Sequence, residues 1–579
     1  MKKTLADFDQ YINQALQDWH IPGAAVAVIK GDEVLHQGGY GFRDIEKCLP
    51  VTENTRFPIA SMTKAFTVMG VALLVDEGLL DWDQPIRDVM PDFRLADDYA
   101  TQHATLRDLL SHRTGLPRHD AAWYGSDKGI DEIFPELRHL KPTAAFRSAW
   151  QYNNLMYETA GLLCVKVSGV SSWYEFIETR ILTVLGMHDS MPKYKKDVED
   201  NADIALPYRL KNGETAPQKI PFYDNPLGPA GSIYSTLKDI TTWLKVHTHA
   251  GQHNGQPFVS PYGLQQMHAP HMLMPATAAQ QAMFNNNLYA YGMGWFIEPY
   301  KGVTLIHHGG NIDGFSVMGA FVPQEQLAIA ILTNVDGKGL RGALMYEALD
   351  RALGVEGKDW SQEILKRNNE TVTAALKANE QTAGESVVGA PSSYDLADYV
   401  GSYQQSGYCD IDIKLEGTEL QAKYYGAWWP LTHCHYDVFE IDMSSRYDEK
   451  ITVSFSLDNH GLIHSINVPV EPDIGDSVFK RKPIVLTDSE QEQWIGRYDY
   501  PVEGQSVDIG VKEQTLYLTI TGQPAKALSC VQKDQHKLSF KIVGNDRSLL
   551  ECIDDAQGNR KLVIKHPGAT YDCPYLDNK

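Results

Sequence analysis

Hydrophobic periodicity changes once along this 579-residue chain, and the change divides what can fold from what. Up to about residue 365 apolar positions follow a mixed pattern. Leu5, Phe8, Ile12 and Leu16 recur at helical spacing, and Pro22-Gly23 stops that helix. Ala24–Lys30, the turn Gly31-Asp32 and Glu33–Gly38 read as a β-hairpin. A long apolar helix starts close to Ser61 and ends at Gly78, a suitable C′ residue. Strand-like runs return at 303–307, 315–322 and 327–333. Strands at both ends of a helical middle predict one antiparallel sheet closed by the two terminal segments.

Residues 366–393 read as a connector that loses its pattern in TAGESVVGAPSS. Beyond it the period is two, as in DIDIKL (410–415), ELQAKYY (419–425), VDIGV (507–511) and LYLTI (516–520). Tyr399-Val-Gly-Ser-Tyr403 matches Trp494-Ile-Gly-Arg-Tyr498 at an offset of 95. Two successive antiparallel β-barrels are therefore expected, at 394–485 and 486–579, after a first domain at 1–365.

With 52 Lys+Arg against 74 Asp+Glu, the net charge of −22 argues against a nucleic-acid partner. No apolar run approaches the ~20 residues a bilayer span needs, so no membrane partner is expected. If Met1 is the true start, the lysines at 2 and 3 lead into Asp7 and Asp9 rather than an export segment, and a cytoplasmic location follows. Seven cysteines without CxxC spacing read as free thiols. His247-x-His249 and His433-x-His435 lack a third ligand, so no metal is expected.

Chemistry is concentrated in three short motifs. Ser61-Met-Thr-Lys64 puts a hydroxyl and an amine on one helical face. A neutral lysine can take the serine proton, and the positive end of a helix dipole beside apolar Ala60, Ala65 and Phe66 favours the neutral amine. Ser235-Thr-Leu-Lys238 has the same spacing, but Thr236 with Asp239 reads there as a capping box. Tyr152-Asn-Asn154 offers a phenol to relay a proton and an amide to hold the lysine and a substrate carbonyl. His307-His-Gly309-Gly310 ends a strand with glycines that let substrate approach and leave N–H groups for an oxyanion.

In order and with their flanks (FPIASMTKAFT, LRDLLSHRTGLP, WQYNNLMYETAG, PAGSIYSTLKDITTWL, YGMGWF and HHGGNIDGF), these motifs resemble the serine β-lactamase and penicillin-binding-protein superfamily. The likeness is to its class C-like branch of esterases, D-peptidases and related hydrolases, and it covers roughly residues 5–350. It implies an α/β (α+β) β-lactamase/transpeptidase-like domain, an antiparallel sheet beside an all-helical region, with the site between them. It implies Ser61 as nucleophile, Lys64 as proton acceptor and Tyr152 as their partner in acid and base steps. Asn154 and Gly309 would bind substrate, the N–H groups of Ser61 and Gly310 would form the oxyanion hole, and no cofactor or metal is required. His307 stands where many relatives carry the lysine of a Lys-Thr-Gly triplet. Largely neutral at pH 7, it shifts weight from carboxylate-bearing substrates to esters and amides. A D-aminopeptidase- or esterase-like hydrolase of a small molecule or short peptide is expected, the plan of one catalytic domain and two barrels resembling D-aminopeptidases. A D-Ala-D-Ala carboxypeptidase, a class C-like β-lactamase, a non-catalytic receptor and a homo-oligomer stay open.

Overall fold

Ala24–Ile29 is buried without alternation, because the strand that carries it lies in mid-sheet with helices over both faces. That strand, β1 (Gly23–Lys30), hairpins with β2 (Glu33–Asp44), which is followed by β3 (Leu49–Pro50). Six strands from later in the chain complete the sheet. They are β4 (Met272–Pro275), β5 (Leu288–Tyr291), β6 (Phe296–Tyr300), β7 (Val303–Ile312), β8 (Phe315–Val322) and β9 (Leu327–Thr333). Their order is β4-β5-β6-β7-β8-β9-β1-β2-β3, antiparallel throughout, and Ala24 pairs with Thr333 where the two chain segments meet.

This computed structural model describes residues 4–126, 128–194, 203–211, 214–222, 227–284, 286–337, 339–382, 390–447, 449–472, 474–533, 537–554 and 559–576. The chain forms two compact units, 1–385 and 386–579.

In the first unit, α1 (Phe8–Asp18) and α5 (Leu340–Leu353) cover one sheet face with Phe8, Ile12, Leu16, Leu344 and Ala348. On the other side lie α2 (Thr63–Asp76), α3 (Asn154–Ser168) and α4 (Leu237–Thr248). Helix α2 is buried on nearly every side, from Thr63 through Ala72, which explains its lack of an amphipathic stripe. Thr236 caps α4 by accepting from the Asp239 N–H, so the second Ser-x-x-Lys motif is a helix start, while the Asp239 carboxylate expected to complete a capping box accepts from Asp189 N–H and the Ser190 hydroxyl.

The connector expected from 366 begins inside a helix. Helix α6 (Trp360–Thr382) is anchored by Trp360, 2% exposed, whose indole N–H donates to Asp350 at 2.7 Å. Glu363 and Arg367 pair one turn apart along it. Within the expected connector, 383–389 lie outside the described residues.

In the second unit, eight strands between Gly401 and Arg481 form a closed antiparallel barrel around Tyr399, Tyr403, Phe439 and Phe455. Eight more, between Gly496 and Pro574, form a second sheet whose ends meet at a Tyr498–Tyr575 bridge. Tyr403 donates to the Tyr399 carbonyl at 2.9 Å, and Tyr498 donates to that of Trp494 at 2.9 Å. The repeat seen in sequence is thus a repeated tyrosine bond at the start of each barrel. No described helix is long and apolar enough to cross a membrane.

Candidate active site

Ser61 lies on a 3-10 turn, Ala60–Met62, that runs directly into α2. Ala60 holds φ +46°, a left-handed conformation uncommon outside glycine, so the backbone is strained immediately before the serine. Lys64, one turn on, is fully buried. Its Nζ is 2.7 Å from Asn154 Oδ1, 2.8 Å from the Ala230 carbonyl and 3.3 Å from Ser61 Oγ.

The chemistry follows from counting protons. A neutral amine has two hydrogens and one lone pair. Asn154 Oδ1 and Ala230 O can only accept, so they take both hydrogens and leave the lone pair for the Ser61 hydroxyl. Burial holds the Lys64 ammonium well below its usual range, and the Arg118 guanidinium adds to the effect, against Glu158 and Asp120. Burial therefore leads, where the sequence pointed also to the helix dipole.

Asn154 opens α3, and its neighbour Asn153 caps the helix by accepting from Met156 N–H at 3.1 Å. Asn154 Nδ2 donates to Asp120 Oδ1 at 3.2 Å, which turns its carbonyl toward Lys64. Asp120 is itself held by Arg118 Nε and by the Trp123 indole N–H. Tyr152 precedes the cap, its ring 4.8 Å from Lys64 Nζ and 5.1 Å from Arg118 Cζ. Burial raises the phenol pKa, while contact with the Ser61 hydroxyl and the Arg118 charge pull it down.

The histidine expected to face substrate is displaced by one residue. Side chains alternate along β7, so His307 and His308 lie on opposite faces. His307 Nε2 sits 3.5 Å from Glu298 Oε1, on the side packed by α5, where Tyr346 also donates to Glu298. His308 stands on the serine side, its ring centroid 6.3 Å from that of Tyr152. Burial and the nearby Lys64 push its pKa down to about 3, so it is neutral. His308, not His307, is the imidazole at the cleft.

The glycines follow the same alternation. A Cβ on Gly310 would lie 2.2 Å from the Ile59 carbonyl and 3.0 Å from Ala60 Cβ, so only glycine lets β7 lie against the serine turn. A Cβ on Gly309 would lie on the opposite face, 2.9 Å from Arg341 Cζ. Arg341, in the first turn of α5, donates through Nη1 to the Gly310 carbonyl and to Asn311 Oδ1. Strand β6 pairs with β7 only up to His307, so from His308 onward one edge of β7 has no strand partner among the described residues. Backbone N–H groups on such an edge are suited to bind an oxyanion.

Sequence reasoning missed Arg118, Asp120, Glu158, Ala230, His308 and Arg341. His308, Glu158 and Ala230 stood inside quoted motifs without being singled out, whereas Arg118, Asp120 and Arg341 lay outside them. The two His-x-His spacings gather no metal site: His247 Nδ1 is 2.9 Å from His268 Nε2 amid Trp243, Trp295 and Phe321. Among the described residues no three His, Cys, Asp or Glu side chains converge as a metal site.

Known proteins resemble both parts of the chain. The Domain of unknown function (DUF3471) model matches residues 385–483. The Unguisins hydrolase ungD of Aspergillus violaceofuscus is 28% identical over 510 residues, covering 81% of this chain and 88% of that protein. Protein flp of Staphylococcus aureus is 26% identical over 337 residues, covering 57% and 63%. Among solved structures, the octameric penicillin-binding protein homologue from Pyrococcus abyssi superposes with TM-score 0.54 at 22% identity, over 82% of this chain and all of that one. A class C β-lactamase superposes with TM-score 0.51 at 21% identity, over 61% and 97%. The Beta-lactamase family model matches residues 8–353, the segment that carries the serine turn, the Tyr152–Asn154 helix start and β7, and the chain belongs to that family.

Proposed function

We propose that this chain is a serine hydrolase that cleaves an ester or amide bond through an acyl-enzyme on Ser61. The observation that carries the reading is the Lys64 amine, whose two hydrogens are taken by Asn154 and Ala230 and whose lone pair is left to the serine. Lys64 takes the Ser61 proton as Oγ attacks the substrate carbonyl. Tyr152, beside both, passes the proton to the leaving group. The N–H groups of Ser61 and of the unpaired edge of β7 beside Gly310 hold the oxyanion, each such donor contributing about a hundred- to a thousandfold in rate. Water, activated by the same Lys64–Tyr152 pair, then releases the acid.

The neutral His308 favours neutral ester or amide substrates of the esterase and D-aminopeptidase kind. A relative named for hydrolysing unguisins supports hydrolase chemistry. A second reading, carboxypeptidase or β-lactamase activity, is favoured by one observation, the Arg341 guanidinium above Gly309. A Pyrococcus neighbour described as octameric supports a homo-oligomer, which light scattering reads directly.

The test is covalent labelling. A fluorophosphonate should modify the peptide containing Ser61, and Ser61→Ala should abolish turnover of a chromogenic ester. Labelling elsewhere, or an active Ser61→Ala protein, overturns the assignment. A stoichiometric burst without steady turnover identifies a receptor.

A further inference from the structure

The Ala230 backbone joins Lys64 to a second buried ionisable side chain. Its carbonyl accepts from Lys64 Nζ at 2.8 Å, and its N–H donates to Glu158 Oε1 at 3.0 Å. Glu158 is 2% exposed, on α3 one turn after Asn154. The segment Gly228–Gly231 that holds Ala230 is clamped between helices. Thr67 of α2 donates to the Pro229 carbonyl at 2.8 Å, and Gly161 of α3 leaves room for the Pro229 ring. A carboxyl in such surroundings is costly unless it has work to do.

We propose that Glu158 is a positioning residue that keeps the buried Lys64 basic enough to accept the Ser61 proton, acting from the far side of the Ala230 backbone. The inference rests on the reading of Ser61 and Lys64 given above. An amine buried beside Arg118 loses basicity, and a nearby carboxylate restores it. The pull is mutual: burial pushes the Glu158 carboxyl well above its usual range, and the Ala230 N–H and Lys64 draw it back. Other groups facing Lys64 are accounted for. His112 and His308 are kept neutral by burial, and the Tyr152 and Tyr157 phenols are kept protonated by it. Arg118 carries a fixed charge, and Asp120 is tied to it through Nε. Glu158 is thus the carboxyl that meets Lys64 from the buried side of the cleft.

The experiment is the pH profile of kcat/KM for a neutral ester in Glu158→Gln. Glutamine keeps an acceptor for the Ala230 N–H and removes the charge. The acid limb, which reports Lys64 losing its proton, should move down by about one pH unit, and the plateau should fall about tenfold. Melting temperature should be unchanged or higher, because the buried carboxylate costs stability, whereas the loss of a purely structural contact would lower it. Glu158→Asp, which restores the charge, should return the limb toward the wild-type position and serves as the test should the Gln protein fail to fold. A limb unmoved in Glu158→Gln, or one displaced equally in Glu158→Asp, overturns the inference. Fluorophosphonate labelling at Ser61 in the same proteins keeps the two readings apart. No labelling in wild type removes the nucleophile, whereas labelling with an unmoved limb removes only Glu158.

Discussion

His308 Nδ1 lies 2.7 Å from the Gly309 carbonyl, and its Nε2 lies 3.0 Å from the Tyr291 hydroxyl. A carbonyl can only accept, so Nδ1 carries the hydrogen and Nε2 accepts from Tyr291, the neutral tautomer. The cleft therefore receives no positive charge from this position. A lysine here would add one at every physiological pH. His308→Lys should raise kcat/KM for carboxylate-bearing substrates relative to neutral esters by about ten- to a hundredfold. His307→Lys should leave that ratio alone, since position 307 faces Glu298. Equal effects at both positions would contradict the strand parity.

Arg341 supplies what His308 withholds. Its guanidinium is desolvated, which lowers its pKa to about 10, and the electrostatic partner that opposes this is Tyr152 rather than a carboxylate. Such a cation, bound to the Gly310 carbonyl and to Asn311 Oδ1 and felt by Tyr152, is suited to a substrate carboxylate. Arg341→Ala should lower kcat/KM for carboxylate-bearing substrates about tenfold or more while sparing neutral ones. Gly309→Ala should reproduce that selectivity change, because its Cβ would displace the far end of the arginine side chain rather than backbone. If neither variant alters the ratio of the two substrate classes, Arg341 serves only to brace β7.

The parts of the site carried by local pattern were legible in the sequence. Ser61 and Lys64 share a helical face because three residues make nearly one turn, and Tyr152 and Asn154 flank a helix cap. The hairpin from Ala24, the antiparallel sheet and the two antiparallel β-domains followed from periodicity, though the eight strands in each did not. What was not legible depends on register or on distant chain. Whether His307 or His308 faces the serine turns on a single-residue phase of β7, which neighbouring strands fix. Ala230 is 166 residues from Lys64, and no local rule brings them together. The connector was misread because its Ala, Glu, Asn and Lys residues suit a solvated helix as well as a linker, and the anchor that decides it is Trp360.

Gly310 should tolerate no side chain. Unlike Gly309, it meets backbone, and a Cβ 2.2 Å from the Ile59 carbonyl forces β7 away from the strained Ala60–Ser61 turn. Gly310→Ala should cost at least about a hundredfold in kcat, comparable to losing an oxyanion donor. Fluorophosphonate labelling of Ser61 should slow in parallel. Near-normal turnover would mean that the turn and strand can separate freely.

The boundary of the first unit can be tested by truncation. The family match stops at 353, yet Trp360 beyond it stacks on Phe284 and Tyr346 and donates to the buried Asp350. A chain ending at 385 should fold and keep activity on a small ester. One ending at 355 should be less stable by about 3–5 kcal/mol, the loss expected for removing a buried tryptophan. Urea melts of the two proteins read the difference; equal midpoints would show that α6 adds nothing.

Acid should weaken the first unit well before its carboxylates titrate. His112 and His247 are held far below their usual pKa by burial, His119 is lowered to about 4 and His308 to about 3. For each, the unfolded chain takes up a proton near pH 6.5 and the folded protein does not. A depressed histidine pKa therefore costs nothing above about pH 6.5, and stability falls as pH drops from there toward the folded value. Each group contributes a slope of up to about 1.4 kcal/mol per pH unit in that window. With His268, also lowered to about 3, these groups should remove several kcal/mol between about pH 6.5 and pH 5. Two carboxyls of this unit, Glu158 and Asp239, have pKa values raised by burial, which work the other way and return part of the loss. Chemical denaturation of the protein ending at 385, at half-unit pH steps, measures the slope. A stability that stays level from pH 7 to pH 5 would mean that these imidazoles reach water, or gain counter-charges, in the folded protein.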